Sequence, residues 1–174
     1  LALPFLRSSE ITGLNEQTTN SQNALAYVHQ QLISEAKQRK TDDQALILMS
    51  HAHMQGSETS ESERPIIIGN EEALSTALFD DVIDYVALGH LHKPQKVGQP
   101  HIRYSGSPLP LSFSEINYKH QIIEVTIDPI QTDESRFTFE PIYIPRPIKL
   151  HKIAGELTDV LAQIQTLAEG EITE

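Results

Sequence analysis

The stretch Asp84-Tyr85-Val86-Ala87-Leu88-Gly89-His90-Leu91-His92 decides how the rest of the chain is read. It predicts a short apolar strand that stops at Gly89 and presents two histidines spaced i, i+2. Side chains alternate along a strand with period two, so both imidazoles leave one side of the backbone if the extended path continues. A glycine just before them permits a sharp turn or the close approach of a ligand. A strand end of this kind delivers metal ligands or acid–base groups.

A second strand end has the same character. Residues 45–49 are a compact apolar run that predicts a buried strand, and Ser50-His51-Ala52-His53 follows it. Open α/β sheets place ligand sites beyond the carboxyl ends of their strands. Imidazoles from two neighbouring strands converging there would form a transition-metal site suited to Mn, Fe or Zn. The chain contains no cysteine, so any metal must be held by His and oxygen ligands. Disulfides are excluded as well, which suits a reducing cytoplasm. Asp80, Asp81 and Asp84 sit at the opposite end of the strand from His90 and are poor bridging ligands. Lone histidines at 29, 101, 120 and 151 read as satisfied core or surface residues. His53 reads as a supporting or solvent-facing side chain.

Composition narrows the classes. The 174 residues fit one domain or part of a larger protein, with 39% hydrophobic residues. No apolar run approaches the roughly 20 residues of a membrane-spanning helix, and no signal peptide is visible. The net charge of −11 argues against a free-standing nucleic-acid binder, whose affinity rests on Lys and Arg. An enzyme that meets phosphates through divalent cations tolerates such a balance. The chain opens on the apolar Leu1-Ala2-Leu3-Pro4-Phe5-Leu6 and ends in an acidic tail, so both ends look cut from a longer protein.

Periodicity orders the remainder. Residues 1–6 read as a buried strand end and 7–19 as polar turns. Ala24, Leu25, Val28, Leu32, Ile33 and Ala36 mark one face of a helix that Asn20 or Ser21 caps. Residues 55–64 read as a solvated loop, 66–68 as a short strand and 71–79 as a weak helix before the strand at 83–88. This alternation predicts an α/β layered unit. Residues 95–97, 101–105, 121–127, 137–144 and 149–153 read as further strands, with prolines 141, 145 and 147 favouring an edge path. A helix over 157–167 carries Leu157, Val160, Leu161, Ile164 and Leu167 on one face.

These segments, in this order, resemble the SbcD nuclease family, a group within the calcineurin-like metallophosphoesterases. Leu3-Pro4-Phe5-Leu6-Arg7 resembles the family's Pro-Phe-Leu-Arg strand end. Ser50-His51-Ala52-His53-Met54-Gln55-Gly56 resembles its histidine-bearing strand end, and residues 84–92 carry its Gly-His-x-His motif. Arg103-Tyr104-Ser105-Gly106-Ser107-Pro108-Leu109-Pro110-Leu111-Ser112-Phe113 resembles its Tyr-x-Gly-Ser-Pro segment, which narrows the superfamily to this group.

The resemblance implies the C-terminal half of a layered metallophosphoesterase β-sandwich flanked by helices over 1–147, then the start of a capping region over 148–174. It implies that His51 and His90 ligate one Mn²⁺ and His92 the other, with Mg²⁺ as a possible substitute. The family's Asp-x-His, Gly-Asp and Gly-Asn-His motifs are not in this sequence, so the segment alone is expected to be inactive. Ser105, Gly106 and Ser107 form a turn whose N–H groups could touch a phosphate, or a turn that is purely structural. The implied setting is a cytoplasmic, homodimeric DNA nuclease working with an SbcC-type ATPase. Two alternatives stay open at this point: a phosphodiesterase for small substrates, and a non-catalytic partner-binding scaffold.

Overall fold

The computed structural model describes residues 1–14, 16, 20–60, 63, 73–128, 130–131, 136–146, 148–167 and 172–173. Five strands form the main sheet: β1 (Ala2–Leu3), β2 (Ile47–His51), β3 (Tyr85–Gly89), β4 (Gln95–Val97) and β5 (Gln99–Tyr104). Their spatial order is β1-β2-β3-β5-β4. The first four in that order run parallel, and β4 closes the edge antiparallel to β5. The architecture is mixed α/β, as the alternating pattern predicts.

One face of the sheet is covered by helix α2 (Ser21–Arg39), which follows the single turn α1 (Ser8–Ile11). Asn20 caps α2 by accepting from the Asn23 N–H at 2.8 Å, as its position ahead of the periodic run predicts. Ala24, His29 and Ile33 are buried from this helix. The core joins Ile33 to Leu48, Val86, Leu88, Ile102 and Tyr104 of the sheet and to Met54, Leu74 and Phe79 of the connections.

The other face is covered in part by the antiparallel pair β6 (Gln121–Ile127) and β7 (Phe137–Tyr143). The Phe137 ring lies 5.7 Å from Tyr85 of β3, and the Arg103 guanidinium of β5 sits 4.0 Å over Phe139. This cover reaches β3 and β5. On β2 the side chains alternate: Leu48 and Ser50 are buried, whereas Ile47, Met49 and His51 are exposed on the open part of the sheet. The run at 45–49 is therefore buried on one face only, which corrects the expectation of a buried strand. The expected buried strand end at 1–6 is likewise an edge strand, with Phe5 52% exposed.

Three other expectations change. The helix expected over 71–79 is, among the described residues, a single 3₁₀ turn at Thr76–Leu78. Ser75 accepts from the Ala77 N–H at 3.2 Å, the local competition that makes serine a poor helix-interior residue. The loop at 55–64 is partly tied down: Glu58 and Gln95 exchange two hydrogen bonds of 2.8 Å, and Glu63 is buried. The strand expected at 66–68 lies outside the described residues. Beyond β7, the short strands β8 (Leu150–His151) and β9 (Ile172–Thr173) pair in parallel around α3 (Leu157–Ile164). No residue of α3 is buried.

Candidate functional site

Parallel strands β2 and β3 end side by side, with His51 opposite Gly89 in register. That register puts the two histidine-bearing ends together. The rings of His51 and His90 meet edge to face with centroids 5.4 Å apart, and His53 lies 6.3 Å from His90. Phe5, two residues past β1, packs edge-on against His51 at 5.7 Å. A Cβ built at Gly89 would stand 3.1 Å from His51 Nδ1. Glycine there makes room for the neighbouring imidazole.

His90 does not continue the strand. Its φ of 107° is the only positive value at a non-glycine among the described residues. The i, i+2 rule for an extended path therefore does not govern His90 and His92, which corrects the geometric premise taken from sequence. The conformation is costly for a residue with a Cβ, and such costs concentrate at functional sites.

Partial desolvation holds the His51, His53 and His90 imidazoles below their ordinary pKa. For His53 the Glu63 carboxylate opposes this shift. His51, His53 and His92 add to the depression at His90. Neutral rings keep a nitrogen lone pair available for a cation.

His92 is arranged differently. Its Nδ1 donates to Glu115 Oε1 at 2.7 Å, and its backbone N–H donates to Glu63 Oε1 at 2.6 Å. Glu115 is fully buried and also accepts from the Leu111 N–H at 2.8 Å. A carboxylate on Nδ1 fixes the ring, as supporting groups do for metal-binding histidines. Nothing in the sequence pattern marks either glutamate as part of a site. Ser112-Phe113-Ser114-Glu115 has the spacing of a capping box, which would send the glutamate back to the Ser112 amide. The carboxylate turns inward to His92 instead.

The Ser105-Gly106-Ser107 turn packs directly beneath. Gly106 has φ 87°, and a Cβ there would fall 2.6 Å from the His92 carbonyl oxygen. That carbonyl accepts from the Ser107 N–H at 3.0 Å. Ser107 is buried, with its carbonyl accepting from His120 Nδ1 at 2.9 Å. Tyr104 secures the other histidine segment: its hydroxyl donates to the Ala52 carbonyl and accepts from the Met54 N–H at 3.1 Å. Burial pushes the Tyr104 pKa up, and the Met54 N–H bond opposes that rise in part.

Two of the acids set aside from sequence are engaged elsewhere. Asp84 accepts from the Leu46 N–H at 2.7 Å and pairs with Arg136, and Asp80 pairs with Lys37. His29 is a core residue, bonded to the Leu25 carbonyl and to Ser50 Oγ, each at 2.8 Å.

No family model matches the chain. The chain is similar to the SbcD component of the SbcCD nuclease from Rhodobacter capsulatus, with 33% identity over 97% of its own length. The chain is a relative of SbcD. It spans 42% of that relative's length. The resemblance drawn from the motifs is thereby borne out.

The donor chemistry of this site suits a divalent transition ion, because adjacent imidazoles held neutral are good ligands for one. The set is partial. Among the described residues, no three His, Asp or Glu side chains are grouped so as to hold an ion by themselves. Also among the described residues, no helix is long and apolar enough to cross a membrane.

Proposed function

We propose that this chain is a segment of a metal-dependent DNA nuclease subunit that hydrolyses phosphodiesters. The observation that carries the reading is the meeting of His51 and His90 at the ends of two parallel strands, in a chain related to SbcD. In this reading residues 1–147 are the C-terminal half of a layered metallophosphoesterase domain, and 148–174 begin a capping region. His51 and His90 would hold one Mn²⁺, and His92 the other, with Mg²⁺ as a possible substitute. Bound ions would lower the pKa of a water and neutralise charge on the scissile phosphate.

The chain's own residues have distinct tasks in this account. Gly89 leaves space for the His51 ring. Glu115 holds the His92 ring, and Glu63 holds its backbone. Because the Ser107 amide is spent on the His92 carbonyl, any phosphate contact from the 105–107 turn falls to the residues beside it. The whole protein is proposed to act as a double-strand 3′–5′ exonuclease and single-strand endonuclease. It would do so as a cytoplasmic homodimer with an SbcC-type ATPase, in DNA repair, recombination and replication. The segment alone is expected to be inactive.

The test is Mn²⁺-dependent digestion of duplex ends by the full-length protein and its His92→Ala variant. Loss of digestion in the variant, with unchanged melting temperature, supports the reading. Equal rates refute the role given to His92.

A further inference from the structure

A cleft of about 390 Å³ opens where the chain leaves the histidine site, a volume within the range of small-ligand sites. Lys93 and Pro94, the two residues after His92, form one wall. Arg103 of β5, Tyr118, Lys119 and Tyr143 are among its other lining residues. Among the described residues, three cations and no acid line this cleft, in a chain whose net charge is −11. Glu58, outside this lining, pairs with Lys93, which leaves Arg103 and Lys119 as the excess positive charge. Lys119 Nζ stands 5.7 Å from the Tyr143 ring centroid, and Arg103 stacks on Phe139. A local excess of positive charge attracts a polyanion against the overall field.

We infer that this cleft seats one nucleotide of a single DNA strand next to the histidine site, with its phosphate on Lys119 and Arg103 and its base against the tyrosines. The inference rests on the nuclease reading and names how that site would receive its strand. Cations alternating with aromatic rings suit an unpaired strand, because a base must expose its face to stack. Paired bases inside a duplex offer no such face. The placement is local: Gly106 packs on both Pro94 and the His92 carbonyl, so the cleft wall and the histidine share one support.

The test is fluorescence anisotropy of a labelled single-stranded oligodeoxynucleotide with the full-length protein, in EDTA and over a range of salt. The double variant Lys119→Glu/Tyr143→Ala is expected to raise Kd by about tenfold or more. Its salt dependence should fall by about one ion or more. Tyr143→Phe, which keeps the ring, and Lys40→Glu, an equal charge change on a remote surface, are expected to bind like wild type. Wild-type affinity in the double variant, or an equal loss in Lys40→Glu, overturns the assignment. So does an equal loss on a blunt duplex of the same sequence. Turnover of bis-p-nitrophenyl phosphate with Mn²⁺ reads the nuclease proposal separately. Its absence in wild type sinks that proposal, whereas retained turnover with unchanged oligonucleotide binding sinks only the cleft.

Discussion

His29 and His90 hold opposite positions in the same sheet system. His29 is fully buried, and both its ring nitrogens are bonded within the fold. His90 meets two other imidazoles and sits on a backbone of positive φ. Ser50 and His51 divide these roles between the two faces of one strand: Ser50 turns inward to His29, and His51 turns outward to His90. A histidine that serves the fold is pinned at both nitrogens. A histidine poised for a ligand is placed by its backbone and neighbours, with ring capacity to spare. His92 stands between the two, with its Nδ1 held by Glu115.

The sharpest break of this contrast is His90→Ala in the full-length protein. Mn²⁺-dependent cleavage is expected to fall by about 100-fold or more, because a two-metal site loses its clamp without a ligand. Melting temperature should hold, and kinetics beside thermal denaturation check both. His29→Ala should do the reverse. It opens a cavity and strands the Ser50 hydroxyl, for a destabilisation of about 3 kcal/mol in urea unfolding. Glu115→Gln sharpens the intermediate case. Loss of the carboxylate behind His92 is expected to weaken Mn²⁺ binding by about 10-fold to 100-fold in calorimetry. The smallest effect is expected at Leu157→Ala in α3. That side chain is 72% exposed, so unfolding free energy should change by no more than about 0.5 kcal/mol.

Much of this arrangement is legible in the chain itself. The run before Gly89 reads correctly as a strand because it is short, apolar and punctuated. The face of α2 and its Asn20 cap follow from spacing alone. The pairing of β2 with β3, which unites His51 and His90, is a long-range event that no local pattern encodes. The φ of His90 is likewise set by what surrounds it. The partial exposure of β2 escapes a reading of apolar runs, because Ile47 and Met49 look like core residues until the reach of the β6–β7 pair is known. Glu115 is hidden for a different reason. Its burial depends on His92 and Leu111, neither of which marks a glutamate as internal from sequence.

The central claim is that His51 and His90 share one ion. Titration of the full-length protein with Mn²⁺, followed by electron paramagnetic resonance, tests it directly in wild type and His51→Ala. The variant is expected to lose one of the two bound ions while its fold persists. Two ions bound with wild-type affinity in His51→Ala would contradict it.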